Sequence, residues 1–241
     1  MGLSAALVRV SLHIALLAES MYNQVEGTMR ITVIYDNEVK QSGLEADWGF
    51  SCLIEAQNTP KILFDTGASG SILRHNMSQL EIVPGDIGIV VISHPHWDHT
   101  GGLQSIIEAD GEAEFYLPQS FLVGISAKKV TRVKAPLEIC PNIFSTGELA
   151  GIEQSLVVST DKGLVVVAGC SHPGVGNILD AASRFGKVCG LVGGLHGFSD
   201  FDRLNPLSLI CPCHCTQHKS EIRRLFPERC LDCGAGLVIE L

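Results

Sequence analysis

His94, His96, Asp98 and His99 stand within one six-residue stretch of the segment VISHPHWDHTGGL, Val91 to Leu103, where an apolar run ends in four side chains able to hold a metal ion. In a chain of this histidine and aspartate content, a chance H-x-H-x-D-H would arise in roughly six sequences in ten thousand, so coincidence explains it poorly. A strand end gives His94 and His96 neighbouring directions, and a tight turn before Gly101 and Gly102 brings Asp98 and His99 back toward them. A catalytic zinc takes three protein ligands and keeps one position for water. Four ligands in one loop exceed that need, so two metals are implied, with further ligands supplied from elsewhere.

Two later histidines follow the same logic. His172 lies in VVVAGCSHPGVGN, Val165 to Asn177, and His214 in LICPCHCTQ, Leu209 to Gln217. In each, a buried strand delivers a ligand to one rim of a sheet and a turn or helix begins just after it, the context in which rigid elements supply metal ligands. His196, in GGLHGF, Gly193 to Phe198, has the same setting. It reads as a further ligand or as a substrate-facing acid/base, and the second is preferred because imidazole suits proton transfer near neutral pH. His13, His75 and His218 have no partner pattern and read as ordinary histidines.

The elements that must position these groups are legible as short Val/Ile-rich runs separated by glycine turns, an α/β pattern. Strands are predicted at Ile31 to Tyr35, Phe50 to Glu55, Lys61 to Phe64, Ile87 to Ile92, Ala113 to Leu117, Leu156 to Ser159, Leu164 to Ala168, Val188 to Val192 and Leu237 to Leu241. Helices are predicted at Ser69 to Leu80, Gly102 to Ile107, Val175 to Arg184 and Thr216 to Leu225, and Ser145 to Glu153 reads as a loop separating two halves of one sandwich. Residues 1–28 read as an extension outside the core, and residues 29–241 as one domain.

Composition narrows the function. The chain has 241 residues, 46% hydrophobic and 18% charged, with a formal net charge of −9. That balance argues against broad binding to nucleic acid or anionic membranes, which needs a dense field of Lys and Arg. The apolar run at residues 3 to 18 is broken by Arg9, Ser11 and His13, too short for a bilayer span and without the layout of a signal peptide. Nine cysteines fit reduced thiols in a cytoplasmic protein. Cys211, Cys213 and Cys215, with Cys230 and Cys233, offer a rival structural zinc site, but small apolar side chains on one strand face, with His214 facing the other way, is the preferred reading. The run AKKVTRVK carries Lys128, Lys129, Arg132 and Lys134, which could hold an anionic substrate; a solvated face is again preferred.

Taken in order, FDTG (Phe64 to Gly67), a helix carrying Asn76, SHPHWDHTGGL, GCSHPG, GGLH and CHCT resemble the metallo-β-lactamase superfamily, and within it a branch named after a dihydropterin-methyl-aminobenzene ribofuranosyl phosphate synthase. The resemblance covers about residues 29–241. It implies a four-layer αββα sandwich with a binuclear site along one edge of the two sheets: His94, His96 and His172 on one metal, Asp98, His99 and His214 on the other, and Asp65 supporting a ligand imidazole. Two departures stand out: Cys170 occupies the place after Gly169 where many members carry a bridging Asp, and the segment from His196 to Cys211 is short, with Gln217 where glycine is usual.

Water held between two divalent metals loses its proton near neutral pH and can attack an ester, lactone or phosphate centre, with Asp98 orienting it and His196 protonating the leaving group. Zinc is the first choice of metal, with manganese or iron compatible with the same ligands; His96 argues against the redox di-iron branch, which places Glu there. The expected function is a metal-dependent hydrolase of a small molecule. A transferase like the branch's namesake is the alternative, and a nuclease or non-catalytic metal-binding regulator the third.

Overall fold

Both faces of the central strands are covered, which is why they read as unbroken Val/Ile runs. The computed structural model describes residues 29–109 and 112–241; the expected extension at 1–28, with its apolar run and His13, lies outside the described residues. One sheet has seven strands: β1 (Arg30–Tyr35), β2 (Ser51–Glu55), β3 (Lys61–Phe64), β4 (Ile87–Val91), β5 (Glu114–Pro118), β6 (Lys129–Val133) and, as the last strand of the chain, β13 (Val238–Glu240), in the order β13-β1-β2-β3-β4-β5-β6. The other has six: β7 (Leu137–Cys140), β8 (Ile143–Ser145), β9 (Leu156–Thr160), β10 (Gly163–Ala168), β11 (Val188–Gly194) and β12 (Leu209–Cys213), in the order β12-β11-β10-β9-β8-β7.

Alternation along each strand sorts side chains between two environments. Cys52 and Ile54, Ile62 and Phe64, and Ile89 and Val91 face inward, meeting Leu156, Val158, Val165, Val167 and Val192 of the opposite sheet in one buried cluster. Their neighbours Leu53, Leu63 and Val90 face outward and pack under α1 (Gly70–Gln79) and, beyond the short α2 (Trp97–Thr100), α3 (Leu103–Ala109), through Leu73, Met77, Leu103 and Ile106. On the far side, Leu164, Val166, Leu191 and Ile210 pack under α4 (Val175–Ala182) and α5 (Lys219–Leu225), through Val175, Ile178, Leu179 and Ile222. The layers are therefore helix, sheet, sheet, helix, the αββα sandwich that the motifs imply. Each fully buried Val, Ile or Leu contributes about 1.5–3 kcal/mol, so the three clusters supply the main stabilisation.

Strand directions create the site. β3, β4, β5 and β6 run parallel, as do β10, β11 and β12. Asp65 follows β3, His94 follows β4, Cys170 and His172 follow β10, His196 follows β11 and His214 follows β12, so the carboxyl ends of five strands feed one rim. Asp65, Ser171, His196 and His214 take φ values of 57°, 62°, 47° and 44°, turning the chain sharply where each strand stops.

The structure corrects the sequence reading at three places. β6, β7 and β8 were not expected: four of the five residues of β6 are exposed, and β7 and β8 are only four and three residues long. β12, inferred only as the carrier of His214, is a full partner of β11. The chain passes between sheets at residues 134–136, not at 145–153. The latter loop instead returns Gln154 to the first sheet, where its Nε2 donates to the Ile92 carbonyl at 2.8 Å. Among the described residues no helix is long and apolar enough to cross a membrane.

Candidate metal centre

A single buried carboxylate organises the HxHxDH loop. Asp65 Oδ1 accepts the Ser93 backbone N–H, and Oδ2 accepts both the Ser93 hydroxyl and His99 Nδ1–H, each at 2.7 Å. Ser93 Oγ spends its proton on Asp65, so it accepts from His94 Nδ1 at 2.8 Å. On the far side of the rim, His214 Nδ1 donates to Asn37 Oδ1 at 2.9 Å. In all three histidines Nδ1 is engaged, which leaves the Nε2 lone pair turned toward the centre, the usual way a protein presents imidazole to a metal.

The close approach of the loop to its support explains its glycines. A Cβ on Gly101 would run into the backbone of Ala68, and one on Gly169 into Ser93 Oγ. Thr66 and Gly101 tie the two segments through hydrogen bonds of 2.8 Å, from Thr66 N to the His99 carbonyl and from Gly101 N to the Gly67 carbonyl.

Donor atoms converge in overlapping groups, each with members within 4.8 Å of one another: Asp98, His99, Cys170 and His214; His94, Cys170 and His172; and Cys170, His196 and Cys215. The ring of His96 stands 4.5 Å from that of His94 and 4.6 Å from that of His172, but His96 is exposed and its nitrogens fall outside the tight groups. Every candidate residue predicted at the site thus reaches the same rim.

The donor set fits cations. His94 Nε2 and His172 Nε2 are 3.2 Å apart, and His214 Nε2 is 3.1 Å from Asp98 Oδ2. With Nδ1 of His214 already donating, His214 Nε2 and Asp98 Oδ2 present lone pairs to each other, an arrangement that a proton or a metal ion must relieve, and His94 Nε2 turns its lone pair toward His172. His196 Nε2 is buried with no hydrogen-bond partner among the described residues. Ligands around one zinc sit about 2.0–2.3 Å from it and so within about 4.6 Å of each other, a limit that the His94–His172 and Asp98–His214 separations satisfy.

Electrostatics point the same way. Burial, reinforced by the surrounding imidazoles, pushes His94 far below the usual imidazole range and His172 down to about 4; it lowers His196 and His214 as well. These rings are neutral near pH 7 and free to ligate. His99 runs the other way: burial lowers it, but the Asp65 carboxylate prevails and raises it. Burial would raise Asp98, yet its close contacts with the His214 and His99 imidazoles hold it below the usual carboxylate range.

Several residues at the site carried no usable signal in the sequence. Glu153 is fully buried, and its Oε1 accepts the N–H groups of Gly169, Cys170 and Ser171 at 3.0–3.1 Å, while Oε2 accepts that of His172 at 2.8 Å. Burial raises its pKa against the backbone N–H groups of His172, Ser171 and Cys170 and the neighbouring His99. Trp48 donates from Nε1 to Asp98 Oδ2 at 3.0 Å. Asp36 accepts the His214 N–H at 2.8 Å. Each is a lone residue in a loop, and only the tertiary structure brings it to the rim.

The remaining candidates separate. Of the five cysteines offered for a second zinc site, Cys211, Cys213 and Cys233 cluster in the core, while Cys215 joins Cys170 and His196, and Cys230 lies in neither group. Lys128 pairs with Glu112 and Lys129 with Glu114 on the edge of the first sheet, and Arg132 stacks on the Phe121 ring. His75 Nε2 bonds the Gly43 carbonyl and His218 faces Glu221, both away from the rim. Asn76 clamps the backbone of Ile34 and Glu45.

Comparison with known proteins agrees with this geometry. A sequence model described as the metallo-beta-lactamase superfamily matches residues 49–133. The chain is 28% identical to the 7,8-dihydropterin-6-methyl-4-(beta-D-ribofuranosyl)-aminobenzene-5'-phosphate synthase of Methanocaldococcus jannaschii, over 72% of this chain and 82% of the relative. Among solved structures it superposes on Tm1679, described as a metal-dependent hydrolase of the beta-lactamase superfamily, with a TM-score of 0.70 and 29% identity, covering 88% of this chain and 99% of that one. The metallo-beta-lactamase fold protein YhfI from Bacillus subtilis shares the fold at a TM-score of 0.65 and 13% identity, over 90% of this chain and 100% of its own. The sandwich and the rim of histidines are thus similar to what the metallo-β-lactamase likenesses describe, in agreement with the resemblance read from the motifs.

Proposed function

We propose that the protein is a metal-dependent hydrolase that uses two divalent cations, zinc first among them, on a small-molecule ester, lactone or phosphate-type substrate. The observation that carries this reading is the pair of donor groups, Asp98 with His99 and His214, and His94 with His172, meeting at one rim with their lone pairs turned inward. His96, the exposed ring beside His94 and His172, completes the ligands of the first cation. When bound, the cations supply Lewis acidity and lower the pKa of water.

The chain's own residues do the rest. Asp65 and Ser93 hold two ligand rings in one tautomer, and Glu153 fixes the backbone from which Cys170 and His172 project. Asp98, steadied by Trp48, places negative charge where an attacking nucleophile must give up a proton. His196, with its Nε2 unpartnered beside His172, donates to the leaving group. The substrate enters from the open side, where His96 and Trp97 are exposed.

A transferase is the second reading, favoured by the likeness to the Methanocaldococcus jannaschii synthase. Turnover in oxygen-18 water separates the two: hydrolysis places solvent oxygen in the product, whereas condensation needs two organic substrates and stops when either is omitted. Metal content near two per chain, largely lost in a His94→Ala, Asp98→Ala double variant, is expected; a protein that takes up no metal on reconstitution would overturn the hydrolase reading.

A further inference from the structure

Among the described residues, Cys170 is the one common to the three donor groups at the rim. Its sulfur lies within 4.8 Å of the donor atoms of Asp98, His99 and His214 on one side and of His94 and His172 on the other, and it stands 3.2 Å from His99 Nε2. Asp98, the other anionic candidate, belongs to only one side. The position is built: Cys170 is 2% exposed, its backbone N–H is held by Glu153 at 3.0 Å, and Gly169 lets it approach Ser93 closely. A neutral thiol has one proton and so can donate to only one of the inward-facing lone pairs, His99 Nε2 at 3.2 Å being the nearest recorded. A sulfur anion between two cations leaves the remaining lone pairs free to ligate.

We propose that Cys170 bridges the two metal ions as a thiolate, taking the place a carboxylate would fill. The inference rests on the binuclear reading above and adds its central ligand. Metal binding releases the thiol proton to solvent, leaving the sulfur lone pairs for one bond to each cation. A soft sulfur ligand at the centre biases the site toward zinc or cobalt(II) and against manganese, which prefers oxygen donors. Cys215, within 4.8 Å of the Cys170 sulfur and His196, is the alternative thiol, and it belongs to neither metal group.

The test uses the full chain loaded with cobalt(II), with metal counted by plasma mass spectrometry. Two cobalt ions per chain and a sulfur-to-cobalt charge-transfer band in the near ultraviolet are expected; Cys170→Ser and Cys170→Asp abolish the band, Cys170→Asp keeps two metals, and Cys215→Ser keeps the band. Two cobalt ions without the band, or a band that survives in Cys170→Ser, would overturn the bridge and leave the binuclear reading standing. Fewer than two metals in the unaltered protein would overturn both. X-ray absorption on the zinc-loaded wild-type chain needs no variant: a bridging thiolate gives an average of one sulfur per zinc at about 2.3 Å, whereas a terminal one gives half that and refutes the bridge.

Discussion

Glu153 accepts the backbone N–H of His172 at 2.8 Å while its other oxygen gathers the N–H groups of the three preceding residues, so one buried carboxylate sets the direction of the whole segment from Gly169 to His172. Glu153→Gln turns one acceptor into a donor facing these groups. Loss of about 1–3 kcal/mol of stability is expected, together with weaker metal binding, read by denaturant unfolding of the apoprotein and by chelator competition. A variant with unchanged metal affinity would mean that the segment holds its shape without Glu153.

Asp65→Ala removes the acceptor that orients His99 and, through Ser93, His94. Partners of this kind typically change metal affinity by about 10–100-fold, and that loss is expected here. Asp65→Asn is the milder variant, since Asn tolerates the left-handed φ of 57° at this position and can still accept the Ser93 N–H.

His196→Ala tests proton donation separately from metal binding. The predicted result is metal stoichiometry unchanged, kcat reduced by about 10²–10⁴-fold and KM little altered for a confirmed substrate. Loss of metal instead would make His196 a ligand.

Acid destabilises the apoprotein through its buried imidazoles. In the folded chain His172 sits at about 4, below its ordinary 6.5, and His94, His196 and His214 are lowered too. Between those values the unfolded chain binds more protons than the folded one, so stability rises with pH and is lost as pH falls from about 6.5 toward 4. His99, raised by Asp65, opposes this in part. Urea midpoints measured across that range are expected to fall on acidification, and less steeply in His172→Asn.

Replacing Lys128, Lys129, Arg132 and Lys134 together by Gln leaves KM for an anionic substrate unchanged. Two of these side chains pair with Glu112 and Glu114 at the sheet edge and a third reaches the carbonyls of Phe121 and Val123. A rise in KM of tenfold or more would make this strand part of the substrate site.

Local pattern made much of this architecture legible in the residues alone. Strands such as β3, β4 and β10 announce themselves because burial on both faces demands unbroken apolar runs, and each ligand follows directly on the strand that delivers it, so His94, Asp98, His99, His172, His196 and His214 could be nominated from short segments. β6 escaped because an edge strand with exposed Lys, Thr and Arg lacks that signature, and β7, also at an edge, because four residues are too few to show it. Nor could spacing along the chain reveal which groups meet: His214 reaches Asp98 across 116 residues, Trp48 reaches it across 50, and the sulfur of Cys170 lies 71 residues from its contact with His99. Those meetings depend on the parallel order of β10, β11 and β12 and on their packing against the first sheet, long-range relations that only the folded chain decides.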